Sequence, residues 1–225
     1  MKQERASRTR RALLTAAAEE FDRRGYAGAS LVGIARAAGI SLGALTFHFS
    51  SKQELSAAVR EQGCDATRAL VARTGARPDP PVQSVVSLTL GLVELLEKDA
   101  SVRAAARLDR ETADARHSWR GVWTPLIHER LRATADAEMC PVPDSTAVAA
   151  LAELLVCGTE ATLPQRDSPD SERDNSALLA RVWRQILPQA IPVECGEGRP
   201  PPSDRPHTAL HPPSTGTPAP VTNEE

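Results

Sequence analysis

The residues with the clearest capacity for chemistry lie between Ser41 and Lys52. Thr46, His48 and Lys52 carry hydroxyl, imidazole and ammonium groups that can donate hydrogen bonds to phosphate oxygens. Gly43, in the same run, has no side chain and would let the backbone approach a partner closely. These residue types in one short run indicate a surface that contacts the phosphates and base edges of a nucleic acid.

Catalysis has no comparable pattern in this sequence. Of the five histidines, His207 and His211 lie in a proline-rich C-terminal segment, and no HExxH, GxSxG, Walker or GxGxxG motif is present. The four cysteines form no CxxC pair, although Cys140 and Cys157 could approach each other in a fold. We therefore predict that the protein is not an enzyme and has no catalytic residues, no metal site and no cofactor.

The net charge of −2 conceals a gradient along the 225 residues. Residues 1–60 contain ten lysines and arginines against five acidic residues, residues 61–190 contain fifteen against nineteen, and residues 191–225 contain two against five. A basic first part on an acidic remainder suggests a polyanionic partner for the first part alone, whereas a solvated charged surface is the ordinary alternative. No apolar run approaches the ~20 residues that span a bilayer, and Met1–Arg5 has no apolar signal core, so we expect a cytoplasmic protein without a membrane partner.

The candidate run is positioned by short helices. Apolar spacing predicts helices over Ser7–Arg24, Leu31–Ala38 and Leu42–Phe49, with Ser30 as N-cap of the second. Gly39-Ile40-Ser41 is the expected turn, in which the glycine ends one helix and the serine caps the next. The second and third helices have the proportions of a helix-turn-helix, with Ile34, Ala35, Leu45 and Phe49 facing inward. A helical hairpin without a binding role is the plain alternative.

The rest of the chain is also predicted to be helical. Ser51 and Glu54 form a capping box at the start of a fourth helix that runs to about Arg73. A proline-containing break over Arg77–Pro81 then marks a domain boundary. Further helices are expected over Val82–Lys98, Ser101–Thr112, Ser118–Ala137, Ser145–Leu163 and Ser176–Leu187. Because no alternating strand pattern occurs and the segment after Pro192 is rich in proline, the sequence predicts an all-α fold with a disordered tail.

A larger set of residues resembles the N-terminal signature of the tetracycline-repressor (TetR) family over about residues 5–60. The matching positions are Thr9, Leu13-Leu14, Ala16-Ala17, Phe21, Gly25-Tyr26, Ser30, Ile34-Ala35, Ala38-Gly39-Ile40-Ser41, Gly43, Leu45, His48-Phe49, Ser51-Lys52 and Leu55. The resemblance implies a helix-turn-helix DNA-binding domain at 1–60, a helical ligand-binding and dimerisation domain at 61–190, and a tail at 191–225. The predicted DNA contacts are Arg5, Ser30, Ser41, Leu42, Gly43, Thr46, Phe47, His48 and Lys52.

Within that family the sequence resembles the γ-butyrolactone autoregulator receptors of antibiotic-producing bacteria. The similarity lies in Gln3–Ala6, Leu45–Phe49, Ser51–Leu55 and Val102–Leu108, the last followed eleven residues later by a tryptophan. Two positions depart from those receptors, since Thr46 stands where they usually have tyrosine, and leucine stands at position 42 where they often have lysine. These departures also fit the pseudo-receptor branch, which answers to other ligands, antibiotics among them.

The second domain contains two tryptophans, Trp119 and Trp123, at i, i+4 spacing. Helical periodicity alone favours ordinary core packing for such a pair. The resemblance implies that Trp119 lines a pocket for a small apolar ligand, and helix phase places Thr159 or Thr162 where a hydroxyl could meet a carbonyl group of that ligand. The predicted ligand-binding set is Trp119, Trp123, Val93, Leu96, Leu154 and Thr159.

The resemblance also implies a homodimer that reads a palindromic double-stranded DNA operator and is released by a small-molecule effector, in control of secondary-metabolite genes. The small aliphatic residues of Ala147–Leu155 and the last helix could pair with a second copy as a four-helix bundle. Trp183 would be either an anchor of that interface or part of one chain's core. The alternatives are a pseudo-receptor, a regulator that needs no ligand, and an interaction module that uses the proline-rich tail.

Overall fold

The computed structural model describes residues 2–111, 118–136, 144–163 and 174–187, which lie in helices and in the short connections between them. Over these ranges the chain has nine α-helices and no strand, which confirms the all-α prediction. Their bounds are α1 Lys2–Gly28, α2 Leu31–Ala37, α3 Leu42–His48, α4 Lys52–Gly75, α5 Pro81–Lys98, α6 Ala100–Glu111, α7 Trp119–Asp136, α8 Ser145–Thr162 and α9 Asn175–Ile186. The predicted tail lies outside the described residues.

Local sequence signals set the ends of the first helices. The hydroxyls of Ser30, Ser41 and Ser51 each accept a hydrogen bond from the backbone N–H three residues later, at 3.0–3.1 Å. Gly39 has a φ of 68°, the left-handed conformation that ends α2. The predicted caps and turn are therefore confirmed.

Two local predictions need correction. The first helix was expected to end near Arg24, but Gly25 introduces a kink, with φ 69° and ψ −178°, and the helix resumes to Gly28. The capping box is only half formed, because the Glu54 carboxylate accepts from the N–H of Ser50 at 2.7 Å and from its hydroxyl at 2.6 Å. These bonds from Ser50 lower the pKa of Glu54.

Two hydrophobic clusters divide the described chain. The first, called the head core, contains apolar residues of α1 to α3 and the start of α4, including Phe21, Leu45 and Phe49. The inward positions predicted for the helix-turn-helix all belong to it and are at most 3% exposed. The second, called the body core, is built from the later part of α4 together with α5 to α9.

Helices α4 and α6 contribute to both cores. Leu55 and Val59 of α4 lie in the head core, whereas Cys64 and Leu70 lie in the body core. Ala104 and Leu108 of α6 pack into the head core, and other residues of α6 pack into the body core. The predicted division at residue 60 thus falls inside a continuous helix. The segment 77–81 connects α4 and α5, which both contribute to the body core, so it does not separate two cores.

Helices α4 and α6 pack closely because Gly63 has no side chain. A Cβ added at Gly63 would overlap the carbonyl oxygen of Ser101 and lie 2.7 Å from the Cβ of Ala105. Real Cβ atoms essentially never approach other atoms so closely. The two helices that join the head and body cores are therefore held at a short distance that only glycine permits.

Within the described ranges, no single helix is long and apolar enough to cross a membrane, and α2 and α3 reach that threshold only when taken together as a pair bent by 102°.

Candidate nucleic-acid interface and effector core

Helices α2 and α3 form a compact bent pair. The chain turns by 102° between them, within the range typical of a helix-turn-helix. The N–H of Ile40 donates to the Ala35 carbonyl at 3.0 Å, which closes the turn. With Leu45 and Phe49 buried beneath it, α3 presents its opposite face to solvent.

Most of the predicted DNA-contacting residues lie on the surface of the head. Arg5, Ser30, Ser41, Gly43 and Thr46 are exposed. Leu42 is 44% exposed and Phe47 is 85% exposed, while His48 is half-buried. The Phe47 and His48 rings meet edge to face, with centroids 5.6 Å apart. The structure thus brings Ser41 to His48 together on one outward helix, with Arg5 on α1. Whether these residues bind DNA stays a prediction.

Lys52 has an inward role that the sequence did not reveal. Its Nζ donates to the carbonyl oxygen of Ala29 at 2.7 Å and lies 4.6 Å from the centre of the Tyr26 ring. These contacts tie the start of α4 to the segment that connects α1 and α2. The predicted phosphate contact must therefore share the ammonium group with a structural bond.

Two further basic residues are exposed on α1. Arg8 and Arg11, both exposed, line an open groove of about 450 Å³ between α1 and the end of α2. They continue the spacing of Arg5 at i, i+3 and i+6, which places all three on a single side of α1. That spacing was the signal available in the sequence. These arginines enlarge the positive surface of the head.

In the body core, four of the predicted ligand residues lie together. Trp119, Trp123, Val93 and Leu96 are each at most 2% exposed and belong to the same cluster. The two indole rings meet edge to face, with centroids 5.6 Å apart. The arrangement is a buried, mainly apolar cluster that contains two aromatic rings.

The polar atoms in this cluster are few and specific. The Trp119 Nε1–H donates to the hydroxyl of Thr67 at 2.9 Å, and that hydroxyl in turn donates to the Gly63 carbonyl at 2.9 Å. The Trp123 Nε1 is buried without a hydrogen-bond partner among the described residues. Thr67, four turns into its helix, was not predicted because a lone threonine on an apolar face gives no distinctive signal.

Three predictions for the C-terminal helices need correction or restriction. Leu154 is 70% exposed and lies on the side of α8 opposite the buried Ala152 and Val156, so it is not part of the buried cluster around Trp119. The Thr159 hydroxyl donates to the Leu155 carbonyl of its own helix at 2.9 Å. Trp183 is fully buried, with its Nε1–H bonded to Thr89 at 3.0 Å, so the core alternative holds.

An ionic contact joins α6 to the end of α1. The Arg103 guanidinium binds the Asp22 carboxylate at 2.6 Å, and Arg107 donates to the Asp22 carbonyl at 2.7 Å. The Glu111 carboxylate accepts the backbone N–H of Tyr26 at 2.7 Å, beside the kink at Gly25. Helix α6 therefore stabilises the end of α1, which includes the Tyr26 that Lys52 contacts.

On its other side, α6 is tied to α8. Arg110 of α6 binds the Glu160 carboxylate at 2.8 Å, and Glu160 is only 6% exposed. Burial raises the pKa of Glu160, an effect that the neighbouring Arg110 opposes. Charged contacts thus connect α6 to both the head and the body.

Exposed apolar side chains also occur on the last two helices. Leu154 of α8 and Leu178 and Ile186 of α9 are 42–70% exposed in the single chain. Large aliphatic side chains left in water are typical of surfaces that another chain covers.

The described residues offer little for catalysis or metal binding. Burial raises the pKa of Cys64 to about 11 and also raises that of Cys157, so neither thiol is the thiolate that nucleophilic chemistry needs. Within the described ranges, no group of three or more His, Cys, Asp or Glu residues is placed to hold a metal ion. Cys140 lies outside those ranges.

Comparison with known proteins gives a consistent result. Residues 13–59 match the family described as bacterial regulatory proteins, tetR family. A solved structure of a gamma-butyrolactone receptor, described as an ArpA-like protein, is 30% identical, with a TM-score of 0.66, over 84% of this chain and 91% of that one. The TetR family protein CprB from Streptomyces coelicolor, solved in complex with its operator sequence, is 29% identical, with a TM-score of 0.62, over 84% and 91%.

A further relative matches over most of the chain. The A-factor receptor protein of Streptomyces griseus is 28% identical over 190 residues, which make up 83% of this chain. The matched region spans 65% of that relative's length.

Proposed function

The chain belongs to the TetR family of bacterial regulatory proteins, and from this premise we propose that it is a repressor that binds a palindromic operator as a dimer and is released by a small apolar effector. The effector class that we propose is a γ-butyrolactone or a related metabolite of an antibiotic pathway, and the regulated genes would serve secondary metabolism. Similarity to gamma-butyrolactone receptors and to the A-factor receptor protein supports that class.

The DNA-binding proposal depends most on the exposure of α3. A short capped helix with a buried inner face and an exposed outer face fits the major groove of B-form DNA. Arg5, Arg8 and Arg11 on the same head supply positive charge for the flanking phosphates. The structure of one similar protein, CprB, has been solved in complex with its operator DNA sequence.

The body core supports the effector half of the proposal. Its aromatic pair and the surrounding aliphatic side chains suit a small, mainly apolar molecule. We propose Trp119, Trp123, Val93 and Leu96 as the contacts, without Leu154. Thr159 stays in the proposed set as an acceptor, because its proton is already donated to Leu155.

A dimer is the third part of the proposal. Leu154, Leu178 and Ile186 would pack against the same residues of a second copy, as α8 and α9 of both chains form a four-helix bundle. Two copies of α3 set about 34 Å apart would then read successive major grooves on one face of the duplex.

Helix α6 is the proposed link between effector and DNA. It contributes side chains to both cores, and Arg103, Arg107 and Glu111 hold the end of α1. An effector that favours one disposition of α6 would change the separation of the two copies of α3. The coupling that such regulators achieve is about 1–3 kcal/mol.

A gel-shift measurement tests the proposal. The purified protein is mixed with duplex DNA from upstream of its own gene, with and without culture extract or a synthetic γ-butyrolactone. We expect a dimer-sized shift that the extract removes. Failure to bind upstream DNA, or any duplex chosen from a random library, would contradict the DNA-binding proposal.

The same measurement distinguishes the second candidate, a pseudo-receptor. Thr46 replaces the aromatic residue usual in butyrolactone receptors, and its hydroxyl donates to the Gly43 carbonyl at 3.1 Å. Release by extract but not by synthetic γ-butyrolactone would assign the protein to that branch. Retention of DNA under every addition would identify a regulator that needs no ligand.

Replacing Lys52 by alanine should weaken binding to all DNA sequences alike. The ammonium lies at the start of α4, where it can also reach a phosphate, and one lost phosphate contact lowers the slope of log affinity against log salt by about one unit. The measurement is a salt titration of binding, with thermal unfolding as a control for the lost bond to Ala29. An unchanged slope would mean that Lys52 acts only inside the head.

A further inference from the structure

The outer face of α3 carries an unusual amount of apolar surface. Phe47, at 85% exposed, is the most exposed large hydrophobic side chain in the part of the chain that the structure describes. Leu42 on the same helix is 44% exposed. Because apolar surface in water is unfavourable, two large apolar side chains exposed on one seven-residue helix are typical of a surface that a partner covers.

The same helix lacks the side chains that read bases by paired hydrogen bonds. Arginine and lysine recognise guanine in this way, and asparagine and glutamine recognise adenine. None of these four types occurs in α3, whose sequence is LGALTFH. The Thr46 hydroxyl has already donated its proton to Gly43, so it retains only acceptor capacity.

One feature of the major groove needs no hydrogen bond for its recognition. Thymine carries a C5-methyl group there, which distinguishes it from every other base by apolar contact. We infer that Phe47 selects the operator by packing on thymine methyl groups. The inference rests on the proposed function and adds the chemical basis of its sequence preference.

The orientation of Phe47 supports this assignment. Its ring meets the half-buried His48 ring edge to face, at 81° between the planes. Gly43, one turn earlier on α3, leaves the space around it open, since a Cβ there would meet nothing closer than 4.0 Å. The ring can therefore reach a base edge without a neighbouring side chain in the way.

Deoxyuridine substitution is the direct test, because uracil differs from thymine only in the missing methyl group. The probe is a palindromic duplex that the full-length protein selects from a random-sequence library. Each thymine is replaced singly by deoxyuridine, and affinity is measured for the native protein and for Phe47→Ala. We expect about a fourfold loss per contacted methyl in the native protein and no such loss in Phe47→Ala.

Val32→Ala serves as the matched control, since Val32 is a 54% exposed apolar residue of α2 outside the predicted contact set. That variant should keep the native pattern of uridine sensitivity. Binding that no uridine affects, or sensitivity that persists in Phe47→Ala, would overturn the inference while leaving the proposed function intact. Absence of binding to every duplex would overturn both.

Discussion

Trp119→Ala is expected to lower the free energy of unfolding by about 3–5 kcal/mol and to abolish release of DNA by the effector. The side chain is 2% exposed in the body core, so its removal leaves a cavity and takes away the N–H that the Thr67 hydroxyl accepts, while the bond from that hydroxyl to Gly63 remains. Operator binding should persist at temperatures where the variant is folded, because the head core does not include this residue. Urea unfolding and effector titration of the gel shift measure the two effects.

Thr67→Val is the control for that variant. It removes the acceptor of the Trp119 Nε1–H but keeps the ring, and a buried donor without a partner costs about 1–3 kcal/mol. We expect Thr67→Val to be destabilised and still to release DNA with effector. If both variants lost release equally, the loss would follow from stability and the assignment of Trp119 to the effector site would be wrong.

Gly63→Ala is expected to destabilise the fold by about 3 kcal/mol, although alanine is the better helix former by about 1 kcal/mol. The added methyl group would overlap the Ser101 carbonyl oxygen, and backbone at that position yields only if α4 and α6 move apart. The measurement is the midpoint and slope of urea unfolding compared with the native chain.

Gly43→Ala is the matched substitution for comparison. Gly43 is also inside a helix, but a Cβ there would have no neighbour closer than 4.0 Å. Its stability in the absence of DNA should equal or slightly exceed that of the native chain. Similar losses in both variants would show that close packing of α4 on α6 is not the cause.

Much of the head was predictable because its signals are local. A serine that caps the backbone N–H three residues later, and a glycine in a left-handed turn, act over only a few positions. The predicted cap at Ser41 and the predicted turn at Gly39 are both present. Lys52 was harder to interpret. Its bond to Ala29 spans 23 residues, so no local pattern distinguishes it from a lysine that faces solvent.

Predictions for the body were limited by what periodicity can tell. Helix α8 is apolar on several sides, so the pattern did not show that Ala152 and Val156 face inward and Leu154 outward. The alternatives for Trp183 stayed open for a related reason, since an apolar stripe does not say which chain covers it. Thr89, 94 residues away, is the partner that places it in the core.

The sharing of Ala104 and Leu108 with the head core bears on how such regulators diversify. Both side chains are fully buried among residues of α1 to α4, and Arg60 donates to the Leu108 carbonyl at 3.1 Å. The first sixty residues consequently cannot be exchanged for those of another regulator without loss of packing against α6. Recombination that joins the DNA-binding helices of another regulator to helices α5 to α9 of this chain must also bring a compatible face of α6. New operator preferences should therefore arise more readily by substitutions on α3 than by exchange of whole domains.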